Sequence, residues 1–194
     1  AQAQSCAGEA TLEDTLTVDW PIEHRVMVLY NPSVEDSDAV ASYYADSRNI
    51  PSENFCAIAT DADTTLEEKD FESWLDALQE CLTSIGPHIH YLVPVYGTPY
   101  RVKGRIALSS DLDVSTVSLD ALAAFPDLAA TAEYAIYSPL YQDGDSASQT
   151  HDPHVPFGEL RAELEPAGYG TLLLVSRIDG DSAAAAMSLV DRTI

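Results

Sequence analysis

Cations are scarce in this chain. Lysine occurs only as Lys69 and Lys103, and 9 basic side chains stand against 32 acidic ones, a formal charge of −23. A surface of that sign repels phosphate, which argues against nucleic acid and against an anionic membrane as partners. Long apolar runs are missing as well: none approaches the roughly 20 residues that a membrane-spanning helix needs. Cysteine is sparse, and Cys6, Cys56 and Cys81 include no pair at two-residue spacing. That disfavours a zinc knuckle or a dithiol redox motif. The stretch NPSVED, which follows the first apolar run, has neither glycine nor lysine, so a phosphate cradle of the usual kind is not expected there.

What the chain does contain is enough apolar matter for one core. With 194 residues and 46% hydrophobic content, a single domain is expected. Residues 1–24 show no periodicity and read as an irregular lead-in. From residue 25 to 194 the pattern is that of one α/β domain. RVMVLY (25–30), NFCAIA (54–59), HIHYLVPVYG (88–97) and TLLLVS (171–176) are short apolar runs without strict alternation, the mark of strands buried on both faces. Between them lie helical patterns. One runs over 34–49 with Ser33 or Ser37 as its N-cap. The clearest opens on a Thr65 and Glu68 capping box, repeats through Phe71, Trp74, Leu75 and Leu78, and stops at Gly86 and Pro87. Weaker helical patterns occupy SLDALAAF, 129–137 and 157–165, and an alanine-rich helix follows Asp181 or Ser182. The segment near 141–156 has turn composition throughout and reads as a long acidic loop. Strands alternating with helices imply a three-layer sandwich around a mainly parallel sheet of about four or more strands.

That layout tests the cysteines. Cys56 lies near a strand start and Cys81 near the end of the helix that returns to it, so both fall at one end of the sheet and a Cys56–Cys81 disulfide is expected. Two buried free thiols are the alternative. The opening AQAQSCAGEA is small and polar, as after signal-peptide cleavage or in a lipoprotein-like start. Either implies export to an extracellular, periplasmic or cell-surface location, where a disulfide persists. Cys6 is left as a candidate for a lipid, an intermolecular bridge or a free thiol.

In parallel sheets the loops leaving the strand carboxyl ends form the ligand crevice. Here those loops bring together Arg101, Ser118, Asp120, Arg177 and Asp179 as a candidate binding edge. Three of the nine cations, Arg101, Lys103 and Arg105, stand at alternate positions. In an extended segment they point one way, with Lys103 and Gly104 at a hairpin tip. The expectation is a flap whose Arg101 faces the loop RIDGDS around Asp179. The plainer reading is that the stripe pairs with neighbouring carboxylates, each pair worth about 0 to 1 kcal/mol. Asp143, Asp145 and Asp152 offer calcium-type oxygen ligands without the spacing of an EF-hand. His151 and His154 flank a proline that prevents helical presentation to zinc. Cofactors are therefore none, or calcium.

Three blocks, RVMVLYNPSVEDSDAVASYYADSRNIPSENFC, YLVPVYGTPYRV and LLLVSRIDGDSAAAAMSLVDRTI, together resemble a family of exported bacterial conserved hypothetical proteins. The resemblance spans about 25–106 and 171–194. It implies export and a chain that continues beyond this one, so the sequence reads as a truncated or processed form. It implies no particular activity. The sheet layout also resembles that of caspase and gingipain-type cysteine peptidases, which set a histidine after one strand and a cysteine after the next. This chain has Gly97 and Thr98 at the first place and Ser176 and Arg177 at the second, so the dyad is missing and the peptidase chemistry is not implied. Two functions remain: an extracellular binding or structural module that holds a protein partner or a downstream segment of its own polypeptide, and a hydrolase using Asp120 or Asp179 with Arg101 or Arg177.

Overall fold

The computed structural model describes residues 20–61, 64–103, 116–131, 157–165 and 170–192. The first apolar run becomes β1 (Val26–Tyr30). Val26 and Val28 enter one apolar cluster, Met27 and Leu29 another, and all four are buried. Both faces of the strand are covered, which is why its sequence shows no polar alternation. β2 (Phe55–Ala57) and β4 (Tyr91–Pro94) lie on either side of β1, and β7 (Leu174–Val175) follows β4. The order is β2-β1-β4-β7, and every pairing is parallel.

Helices cover both faces. α1 (Ser37–Arg48) and α6 (Ala183–Arg192) place Val40, Ala41, Ala45 and Ala186 against Val26, Val28, Val93 and Val95. On the other side α2 (Glu68–Ile85) buries Phe71, Trp74, Leu75 and Leu78 over Met27, Leu29 and Leu92. α3 (Leu119–Ala123) adds Leu119 and Leu122 to that cluster. α4 (Pro126–Thr131) follows it, and α5 (Phe157–Leu164) packs Leu160 and Leu164 with Phe125 and Leu172. The expected α/β layering is therefore present. The expected disulfide is formed too: Cys56 in β2 is bonded to Cys81 in the last turns of α2, with Cα atoms 5.7 Å apart.

A second sheet was not anticipated. β3 (Thr65–Glu67) runs parallel to β5 (Arg101–Lys103), which pairs antiparallel with β6 (Thr116–Ser118). Leu66 and Val102 point into the α2 cluster, while Glu67, Arg101 and Lys103 face solvent. This sheet corrects the capping box. Thr65 is spent on a strand, and α2 begins at Glu68 after Glu67, whose side chain makes no capping bond. The N-cap of α1 is corrected likewise: Asp36 holds that position at φ 66°, and Ser37 uses its hydroxyl elsewhere. Of the lead-in only its last residues are described, and they form a 3-10 turn at Ile22–Arg25. The fourth run yields only two paired residues, because Leu172 and Leu173 pack as irregular chain before Leu174 joins β4. Gly104, Arg105 and the acidic loop at 141–156 lie outside the described residues.

Candidate functional site

The crevice of a parallel sheet opens where successive crossovers leave in opposite directions, here between β1 and β4. In this chain that place is filled by its own loops. Asn31, 1% exposed, donates from Nδ2 to the carbonyls of Thr60 (2.9 Å) and Gly97 (3.2 Å). Its Oδ1 accepts from the amides of Ser33 and Thr60. Ser37 accepts from the Asn31 amide and donates to the Tyr96 carbonyl at 2.6 Å. Gly97 sits at φ +85°, and a Cβ there would meet Val34 at 2.7 Å. The glycine is needed both for its backbone conformation and for the close approach.

Beside this seal the carboxyl edge brings three of the five candidates together. The Arg177 guanidinium holds Asp120 with two bonds, Nε to Oδ2 at 2.9 Å and Nη2 to Oδ1 at 2.6 Å. Nη1 donates to the carbonyl and the hydroxyl of Thr98, and Nη2 also to the Pro99 carbonyl. A guanidinium has five N–H donors, and these five bonds use one each. Asp179 stands farther off, 3.7 Å from Nη1, and its Oδ1 accepts from the Gly180 amide within its own turn. Ser118 acts as an N-cap, accepting from the Ala121 amide at 3.3 Å. That cap sets the start of α3 and hence the position of Asp120.

Arg101 does not face Asp179, contrary to expectation. Its guanidinium lies over the Tyr100 ring at 4.7 Å and donates to the Tyr100 hydroxyl at 3.1 Å. Arg177 approaches the same ring at 5.8 Å. Tyr100 thus couples the two arginines, and the ring supplies the stabilisation that a carboxylate was expected to give. Lys103 does pair with an acid, Glu67 at 3.3 Å, both well exposed. The plainer reading of the stripe holds for Lys103 and fails for Arg101.

A distinct opening lies elsewhere. A groove of about 670 Å³ lies beside β2, between residues 57–61, β3 and the first turns of α2. No sequence signal marked it, since its walls come from the end of a run read as a strand and from segments read as turn and helix start, which meet only in the fold. A second cluster of titratable groups sits at the amino end of the sheet, where Trp20 stacks on His88 with centroids 4.4 Å apart. Burial, together with Arg161, Arg25 and His88, lowers His90 to about 4. Burial also lowers His88, with His24 adding to the effect.

No family model, curated protein or solved structure matches the chain. Among the described residues no three His, Cys, Asp or Glu side chains converge as a metal site. Asp143, Asp145, His151, Asp152, His154 and Cys6 fall outside those residues. No described helix is long and apolar enough to cross a membrane.

Proposed function

We propose that this chain is an exported, non-catalytic α/β binding module of the exported bacterial family it resembles, whose partner surface is the groove beside β2. The observation that carries this reading is the fate of Arg177. An anion-stabilising arginine must keep donors free for charge that develops during reaction, and every donor of Arg177 is already bonded to Asp120, Thr98 or Pro99. Asp120 in turn is the partner of that guanidinium, so the pair reads as a clamp on the loop after β4. The Cys56–Cys81 bond supports export, because disulfides persist in oxidising compartments.

The competing hydrolase reading makes a contrary demand on the same residues. Asp120→Asn and Arg177→Lys would be assayed with chromogenic phosphate, ester and glycoside substrates beside the parent protein, with circular dichroism as the control for folding. The module reading expects no turnover that depends on either residue. Turnover by the parent that falls a hundredfold or more in folded Asp120→Asn would overturn it and establish the hydrolase.

A further inference from the structure

β2 is an edge strand. Among the described residues the order β2-β1-β4-β7 gives it a neighbour on one side only, and the order β3-β5-β6 leaves β3 at the edge of the second sheet. The groove lies between these two edges. Hydrogen-bond parity shows which backbone groups face it. The Ile58 amide donates to the Tyr30 carbonyl, and the Thr60 amide to the Asn31 side chain. Alternate residues turn their backbone groups to opposite sides of an extended chain, so Ala57 at the end of β2, and Ala59 between Ile58 and Thr60, direct theirs away from β1, and the chain then bends at Asp61. All three are exposed, and two have side chains of a single methyl group. An edge of this kind is a template for another strand.

The groove's other walls suit the same occupant. Asp70, Ser73 and Ala77 stand at three- and four-residue intervals on one stripe of α2 and form a wall beside β2. β2 (Phe55–Ala57) and the irregular stretch that continues it up to the bend at Asp61 offer a segment of roughly five residues room to lie alongside, at a rise near 3.3 Å per extended residue. Charge then selects the partner. Asp61, Glu67 and Asp70 line the groove with one cation, Lys69; Glu67 is paired with Lys103, which leaves Asp61 and Asp70 to set the local sign, within a chain of charge −23. Such a field draws in positive ligands and repels negative ones.

We propose that the groove captures an extended, basic peptide segment of a partner protein, which adds to β2 as a further strand and sets its lysine or arginine side chains toward Asp61 and Asp70. Main-chain bonds to the edge supply affinity, and the acidic wall supplies the choice of partner. Salt weakens the association, since the steering charges are exposed. This inference rests on reading the chain as a binding module, and the two fail differently. Turnover that depends on Asp120 defeats the module, whereas the outcomes below defeat strand addition alone.

The probe is a capped pentapeptide alternating valine and lysine, followed by its effect on backbone amide resonances of the whole chain and by anisotropy of a labelled copy. Two controls accompany it: the same peptide methylated at every backbone nitrogen, and a version with glutamate in place of lysine. Shifts centred on Ala57, Ala59 and Asp61 are expected, with binding at least tenfold weaker for both controls. Asp61→Lys with Asp70→Lys, both at exposed positions, should weaken binding about tenfold, and Ser73→Trp should block it while leaving the fold intact. Equal binding of the methylated peptide would overturn strand addition, and equal binding of the glutamate peptide would overturn the basic partner. No shift at these amides with millimolar probe would overturn both.

Discussion

Arg177 is bound on all sides, and its side chain is only 16% exposed. A lysine at this position would keep the charge but lose the planar fork, and its three donors cannot replace five directed bonds. Some of the Thr98 and Pro99 carbonyls and Asp120 oxygens would then be left without a partner, at about 1 to 3 kcal/mol for each group that stays dry. Asp120 is 29% exposed, so water recovers part of that loss. Arg177→Lys should lower stability by about 2 kcal/mol in urea unfolding and speed amide exchange from Gly97 to Arg101. An unchanged midpoint would mean that the clamp is ornamental. His90 makes a separate prediction at the same scale. Its pKa falls from 6.5 to about 4 in the fold through burial, with Arg161, Arg25 and His88 adding to it. In the unfolded chain it takes up a proton near 6.5 while the folded form stays neutral, so stability is full above 6.5 and declines as pH falls toward 4. The melting-temperature difference between the parent and His90→Gln should therefore shrink or reverse between pH 7 and pH 4.5. A constant difference would show that His90 titrates normally.

Elements decide where these residues meet, and the disulfide is the simplest element-scale device. It joins β2 to the last turns of α2 across a sequence separation of 25 residues. Closing a loop of that length stabilises by about 3 to 4 kcal/mol in the chain-entropy model. Reduction, or Cys81→Ser with Cys56→Ser, should lower the unfolding free energy by about that amount. Loss of less than about 1 kcal/mol would show that packing of Phe71, Trp74 and Leu78 holds α2 without the bond. This bridge was legible in the sequence because it follows from strand and helix periodicity, which Met27, Leu29, Phe71 and Leu75 display plainly. The second sheet was not legible. Its strands are three residues long, only Leu66, Val102 and Val117 face inward, and Thr65 mimics a helix cap. The clamp was half legible: Asp120, Arg177 and Asp179 were placed at one edge by topology. The partner of Arg101 was misread because charge balance pointed to an acid, whereas Tyr100, its neighbour in sequence, offered a ring at contact distance. The groove gave no signal, because two strand edges become neighbours only through the fold.

For the whole molecule the question is which electrostatic contribution dominates, attraction within ion pairs or repulsion among unpaired acids. Even if each of the 9 cations neutralised one acid, 32 − 9 = 23 carboxylates would remain. The ion pairs that are visible divide into two kinds. Arg177–Asp120 and Arg161–Glu165 each contain an arginine that is mostly buried, 16% and 8% exposed, and salt screens such pairs weakly. Lys103–Glu67 is exposed at 60% and 52% and contributes about 0 to 1 kcal/mol at most. Screening therefore removes little attraction and much repulsion. The Debye length falls from about 10 Å at 0.1 M to about 3 Å at 1 M salt, and the compact state gains more from this than the expanded unfolded chain, whose charges already lie farther apart. The unfolding midpoint in urea should rise steadily as sodium chloride goes from about 0.1 to 1 M, and Lys103→Ala should leave that slope unchanged. If the midpoint fell instead, the few pairs would outweigh the acidic field, and the charge of −23 could no longer be treated as a cost of the fold that salt relieves.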